Sequence, residues 1–376
     1  MSVLFPCQEI GSLSKPSWLV TAPKRGRATE VEIEDAAHWG KLLGVEGYEN
    51  LVGVLRDREL KGRKGELRDY ASLYGLRFLE SAGLDYVYDG EQRRVEMYEY
   101  PIRRMKGFKF LGHVRSFDNK YYRKAACVGR VGFEAAYHLE EFSFVQDRAR
   151  RLVKVPITGP YTLADWSFNE YYQGRLAGIS NLSRRKLEAR RNLVLDIAHE
   201  VIRPNLRALE QAGAEVIQLD EPAATTHPEE VSIFVEGFNA ATKGIGCKLT
   251  AHICYGDYRL LFPHVLEMRR CSQLDWEFAN RDDESGDGYA ALKLFREYDD
   301  GREVGLGVLD VHVSRIETPE QVRDRILRAA EVLGDPERIF VNPDCGLRTR
   351  TWEVAFEKLK NMVQGANLAR EELGSD

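Results

Sequence analysis

The chain has 376 residues, 43% of them hydrophobic and 30% charged, with a formal net charge of −5. That composition describes a globular protein with room for a deep core, and so slight a charge leaves no footprint for nucleic acid and no basic face for anionic lipid. The first six residues lack the features of a signal peptide, and no apolar run approaches the length of a membrane span. Six cysteines scattered over so long a chain point to reduced thiols in a cytoplasm, not to a disulfide scaffold.

Eight short apolar, β-branched runs are expected as strands. In chain order they cover residues 3–10, ending in Gly11-Ser12; 84–88, ending in Asp89-Gly90-Glu91; and 152–157, ending in Thr158-Gly159-Pro160. Then come 215–219, ending in Asp220-Glu221-Pro222; 248–253, ending in Cys254-Tyr255-Gly256; and 273–276, ending in Glu277. The last two are 304–309, ending in Asp310, and 339–341, ending in Asn342-Pro343-Asp344-Cys345-Gly346. Near-continuous apolar runs of this length suit parallel strands covered on both faces.

Amphipathic stretches lie between them. The clearest helix is expected over 184–212, where Leu187, Leu193, Ile197, Val201, Leu206 and Leu209 form one stripe. A second opens at Thr318-Pro319, with an N-cap followed by proline at the first helical position, and stops at Gly334. Strands alternating with helices predict an α/β chain, a (β/α)₈ TIM barrel forming a single domain over 1–376. Residues 99–150, rich in Tyr, Phe, Arg and Lys, break the alternation. They are expected as an insertion after the second strand, partly β-hairpin.

Barrel enzymes carry their chemistry at the C-terminal ends of strands. Glu91, Asp220, His252, Cys254, Glu277, Asp310, His312 and Cys345 all fall there. With a strand period of two, His252 and Cys254 point to the same side, so both can reach one ion. Taken singly, each candidate ligand has a structural alternative. His252 and Cys254 suit a buried core pair, Cys345 a small hydrophobe, and Glu277 an ion pair with Arg281. Taken together on neighbouring strands, an imidazole, a carboxylate and two thiolates point to Zn²⁺, in a site with a formal charge of about −1.

Several segments resemble the cobalamin-independent methionine synthase family. They are Ala251-His252-Ile253-Cys254-Tyr255, Asn342-Pro343-Asp344-Cys345-Gly346-Leu347, Ile217-Gln218-Leu219-Asp220-Glu221-Pro222, and Ile157-Thr158-Gly159-Pro160 with Trp166. The likeness runs from Ile10-Gly11-Ser12 to Met362-Val363-Gln364. It implies a zinc-dependent methyltransferase that moves a methyl group to the thiol of homocysteine, forming methionine. It also implies zinc on His252, Cys254, Glu277 and Cys345, and a homocysteine site at Ile10, Gly11, Ser12, Glu91 and Asp220. Trp166 is then a contact for a folate, and His312 a proton donor.

These roles suit the residue types. Zinc lowers the pKa of a thiol that is otherwise mostly protonated at neutral pH. Asp220 and Glu91 can pair with an ammonium, and backbone N–H groups near Gly11 and Ser12 can hold a carboxylate. A methyl group leaves a tertiary amine poorly unless an acid such as His312 protonates the nitrogen. The resemblance also has departures. The family's well-known members are about twice as long, so the likeness covers their catalytic half, and a substrate-contacting Glu of theirs aligns with Thr226 here, beside His227. Both departures concern the methyl donor, for which methyltetrahydrofolate and methylcobalamin or a methyl-corrinoid protein both stay open. Three other readings stay open as well: a decarboxylase on the barrel type of uroporphyrinogen decarboxylase, methyl transfer to another thiol, and an inert structural zinc site.

Overall fold

A computed structural model describes residues 3–374 except 58, 116–120 and 287. Ten strands form two sheets. β1 is Tyr86–Val87, β2 Met105–Arg115, β3 Tyr121–Phe133, β4 Leu152–Thr158 and β5 Phe168–Asn169. β6 is Val216–Asp220, β7 Lys248–Ile253, β8 Gln273–Trp276, β9 Glu303–Leu309 and β10 Ile339–Pro343. The larger sheet is parallel in the order β1-β4-β6-β7-β8-β9-β10, so its spatial order is its chain order. Its central strands are buried on both faces, as their unbroken apolar runs require. The fold is mixed α/β with a curled parallel sheet.

The expected first strand, 3–10, contracts to two residues. Cys7 bridges Val341 of β10 and Gln8 bridges Tyr86 of β1, both in parallel. Three features stop the strand from extending. Phe5 takes a φ of 51°, Pro6 has no N–H to donate, and the Cys7 N–H goes to the Asp85 carboxylate at 2.8 Å. The expected run at 84–88 likewise shortens to β1, because the chain turns at once through Gly90 (φ 60°) and Glu91 (φ 58°).

Inside the curl, strands far apart in the sheet meet on one carboxylate. Asp275 of β8 accepts from Gln8 Nε2 (3.2 Å) and from Thr250 Oγ1 of β7 (3.1 Å). Lys154 Nζ of β4 stands 3.5 Å from it, and both side chains are buried. Gln8 also donates to Asn342 Oδ1 of β10 at 3.0 Å. A Cβ on Gly305 of β9 would stand 1.9 Å from Asp275 Oδ1, so the missing side chain makes room for this junction.

Helices cover the outer face. The expected 184–212 helix is present in three joined parts, Leu182–Ile197, a π-helical turn Ala198–Ile202, and Arg203–Gln211. Pro204 has no N–H to return to the carbonyl one turn back, and the wider turn precedes it. The helix Pro319–Leu333 has a full capping box between Thr318 and Gln321 and ends on Gly334 at φ 79°. Trp39, Phe78 and Trp352 pack edge-on with centroids 4.9–5.7 Å apart where outer helices meet. No described helix is long and apolar enough to cross a membrane.

Within 99–150, β2 and β3 form an antiparallel hairpin, and β5 joins β3 in parallel to complete a three-stranded sheet. Residues 116–120, between β2 and β3 in the chain, lie outside the described residues. The crowded junction under β9 generates a stability prediction. Gly305→Ala should destabilise the protein by about 2 kcal/mol or more, measured as a lower urea midpoint at an unchanged slope. An unchanged midpoint would mean that the junction yields without cost.

Candidate active site

The ends of the parallel strands surround a cavity of about 180 Å³. Ile10, Gly11, Ser12, Glu91, Trp166, Asp220, His252, Cys254, His312 and Cys345 all line it. The remaining expected site residue, Glu277, is not among the residues that line it.

His252 ends β7 with its imidazole buried, and Nδ1 meets the backbone carbonyl of Asp275 on the next strand at 3.1 Å. That contact orients the ring and leaves Nε2 as the nitrogen that could ligate a metal. The ligand atoms of His252, Cys254 and Cys345 lie within 4.8 Å of one another, and the two sulfurs are 3.9 Å apart. Two thiolates on one tetrahedral zinc sit about 3.8 Å apart, given a Zn–S bond of about 2.3 Å. Neither His252 Nε2 nor Glu277 Oε2 has a hydrogen-bond partner among the described residues, although both are buried. The unpartnered His252 Nε2 beside two paired sulfurs fits a cation of zinc type, while Glu277 lies outside this three-residue group. The other oxygen of Glu277 is 3.2 Å from Arg281, so the expected ion pair is present alongside the free oxygen.

The electrostatics follow from burial. The Cys254–Cys345 hydrogen bond holds the Cys345 thiol well below its ordinary pKa and raises that of Cys254, as for two sulfurs sharing one proton. Burial alone would lower the His252 imidazole, but the neighbouring Cys345 sulfur holds it up at about 9. Burial pushes Asp220 up to about 8, with Glu91 adding to the rise. Gln218 Nε2 donates to Asp220 at 2.6 Å and also holds the Ile10 carbonyl.

Glu91 is held by Arg94 at 2.7 Å, and Arg94 is anchored in turn on Glu141 at 2.5 Å. Its positive φ, costly for a residue with a Cβ, turns the carboxylate into the cavity. Across from it, the backbone at Gly11 and Ser12 lies against Gly346. A Cβ on Gly346 would stand 2.8 Å from Ser12 N, so only glycine lets the two loops touch. The His312 N–H donates to Asp310 Oδ1 at 2.8 Å, and its Nδ1 is 3.3 Å from the Tyr255 hydroxyl. Trp166 stacks on Tyr122 of the hairpin, with centroids 5.3 Å apart at 28°.

Several lining residues escaped the sequence reading. Glu96 accepts the N–H groups of Tyr98 and Glu99 at 2.9 Å, and burial raises its carboxyl to about 7. Its spacing after Asp89-Gly90-Glu91 was the one available signal. Tyr121, Tyr122 and Arg348 also face the cavity. The two tyrosines come from the hairpin, and nothing in their local pattern tells of that placement.

Known proteins share this arrangement of strands. A family model described as "Cobalamin-independent synthase, Catalytic domain" matches residues 68–368. A methionine synthase of Pyrococcus furiosus is 38% identical over 371 residues, covering 98% of this chain and 94% of that one. One of Thermoplasma acidophilum is 37% identical over 322 residues, covering 80% and 89%. Among solved structures, a B12-independent methionine synthase from Shewanella sp. W3-18-1, in complex with selenomethionine, aligns with a TM-score of 0.77 at 24% identity, covering 99% of this chain and 100% of that one. With most of its length inside the family model, and relatives above one-third identity along nearly all of it, this chain belongs to the cobalamin-independent methionine synthase family of methyltransferases.

Proposed function

We propose that the protein transfers a methyl group from methyltetrahydrofolate to the sulfur of homocysteine, with zinc held by His252, Cys254, Glu277 and Cys345. The observation that carries this reading is the meeting of the Cys254 and Cys345 sulfurs with the His252 imidazole, all within 4.8 Å of one another, beside a cavity that both thiols line. Glu277, outside that group, is assigned as the fourth ligand from the family resemblance and its unpartnered buried oxygen. Bound there, zinc supplies the positive charge that makes a thiol ionise at neutral pH.

The chain's own residues do the remaining work. Asp220 and Glu91 bind the substrate ammonium, and the backbone at Ile10, Gly11 and Ser12 holds its carboxylate. The salt-bridged Arg94 keeps Glu91 aimed. Trp166, backed by Tyr122, offers a flat face for the pterin. Attack of the sulfur on the methyl carbon forms the S–CH₃ bond and breaks the N–CH₃ bond. His312 gives the departing nitrogen its proton, its backbone N–H held by Asp310 and its ring steadied by Tyr255.

The aromatic shelf and the family's cobalamin-independent description support a folate over a methyl-corrinoid donor. A decarboxylase acting on a polycarboxylated macrocycle lacks support, because the described lining holds one arginine, Arg348. We further infer that the curled sheet closes as a (β/α)₈ barrel in one domain over 1–376, with residues 99–150 as an insertion. The bridges from Cys7 and Gln8 to both sheet edges support that closure. Six free cysteines suit a cytoplasmic setting.

Purified protein is expected to hold one zinc per chain, by elemental analysis, and to form methionine from homocysteine and methyltetrahydrofolate. Activity should be compared with the folate polyglutamate and with methylcobalamin. Turnover with methylcobalamin alone would withdraw the folate role of Trp166. Cys345→Ser should abolish both zinc retention and turnover, and full zinc retention by that variant would end the metal assignment. Asp220→Asn should keep its zinc but raise the KM for homocysteine by about tenfold or more, as loss of a charge-assisted hydrogen bond predicts. An unchanged KM would remove Asp220 from the ammonium site.

A further inference from the structure

Two buried side chains outside the ligand set tie the ligand-bearing loops together. Tyr258 follows β7 in a short turn, and its hydroxyl accepts the Glu277 N–H at 2.8 Å. The same hydroxyl faces the Ile253 carbonyl at 3.1 Å, one residue before Cys254. Its ring is stacked on Trp276 at 4.1 Å and 8°, so the hydroxyl has little freedom to swing away. One atom thus joins the end of β7 to the residue after β8.

Asp344 makes the second tie. Its carboxylate is fully buried and accepts three successive N–H groups, those of Phe278 (2.8 Å), Ala279 (2.9 Å) and Asn280 (2.8 Å). Those residues directly follow Glu277, and Asp344 directly precedes Cys345. β8 and β10 are not neighbours, because β9 runs between them. The contact crosses β9 at Gly307, where a Cβ would stand 2.2 Å from Asp344 Oδ1. Strand pairing is complete without this bridge, so the sheet itself does not call for a buried carboxylate here. Burying one is costly, and three N–H donors offset that cost while fixing its position.

We propose that Tyr258 and Asp344 are positioning residues that set the spacing of the zinc ligands before the metal binds. Tyr258 joins the His252–Cys254 pair to Glu277, and Asp344 joins Glu277 to Cys345 across β9. This rests on the zinc reading above. Loops already held at ligand distance lose little freedom on binding, so the ties appear as metal affinity and coordination geometry. Partners of this kind, one step removed from the metal, are typically worth about 10–100-fold in affinity.

Tyr258→Phe keeps the ring stack and removes only the hydroxyl, and Asp344→Asn replaces one of the two accepting oxygens with an NH₂ that cannot accept. Each would be titrated with zinc against a competing chelator, and its cobalt-substituted form read by visible absorption. Tyr289→Phe serves as the control, since its hydroxyl donates to Gly307 O at 2.9 Å without joining two ligand loops. Zinc affinity is expected to fall about tenfold in Tyr258→Phe and up to about 100-fold in Asp344→Asn, with altered cobalt bands in both. The control should keep wild-type values. Should Asp344→Asn fail to fold, Tyr258→Phe decides the matter. Wild-type affinity and wild-type cobalt bands in Tyr258→Phe overturn the proposal, as does an equal loss in the control. Wild-type protein that takes up no zinc overturns the metal reading as well, which separates the two failures.

Discussion

Asp275 is the residue on which the site's geometry depends. Its side chain gathers Gln8, Thr250 and Lys154 from separate parts of the sheet, and its backbone carbonyl orients the His252 ring. A flat sheet would leave His252 and Cys345, three strands apart in order, far from one another. Curling the sheet around a shared polar junction brings their ends to one point. The arrangement buries a carboxyl group where parallel sheets more often pack apolar side chains. Lys154 and a set of neutral donors make that burial tolerable.

The strained positions follow the same logic. Glu91 and Tyr255 both adopt positive φ in the loops that follow β1 and β7, and both line the cavity. Each such residue costs on the order of 1–3 kcal/mol and persists only where its surroundings dictate the conformation. Arg94 and Glu141 do so for Glu91. For Tyr255, the following Gly256 leaves no room for a Cβ against Thr225, so the chain has one way through this turn.

The sequence made legible what depends on local periodicity. His252 and Cys254 share a face because strands alternate, and that pattern is visible in three letters. The capping box at Thr318 and the long helix after 182 are equally local. The contraction of the first strand was less accessible, because it depends on Asp85 intercepting the Cys7 N–H across 78 positions of sequence. The π-helical turn had a cue in Pro204, but proline alone does not say whether a helix ends or widens. Glu277 kept both of its readings, since one oxygen pairs with Arg281 while the other has no partner among the described residues. Asp344 was visible in its motif, but its contact needs Gly307 on another strand, and no linear pattern pairs those two positions.

The hairpin of β2 and β3 has a consequence for how such an enzyme can change. It belongs to a separate small sheet, yet Tyr121 and Tyr122 form part of the cavity wall beside Trp166. In the proposed reaction the sulfur-activating groups sit on the large sheet and part of the donor's shelf on the small one. Drift in the hairpin can therefore reshape which methyl carrier is accepted while the thiol chemistry stays as it is. In the proposed reaction the two substrates thus rest on different sheets that meet at the cavity.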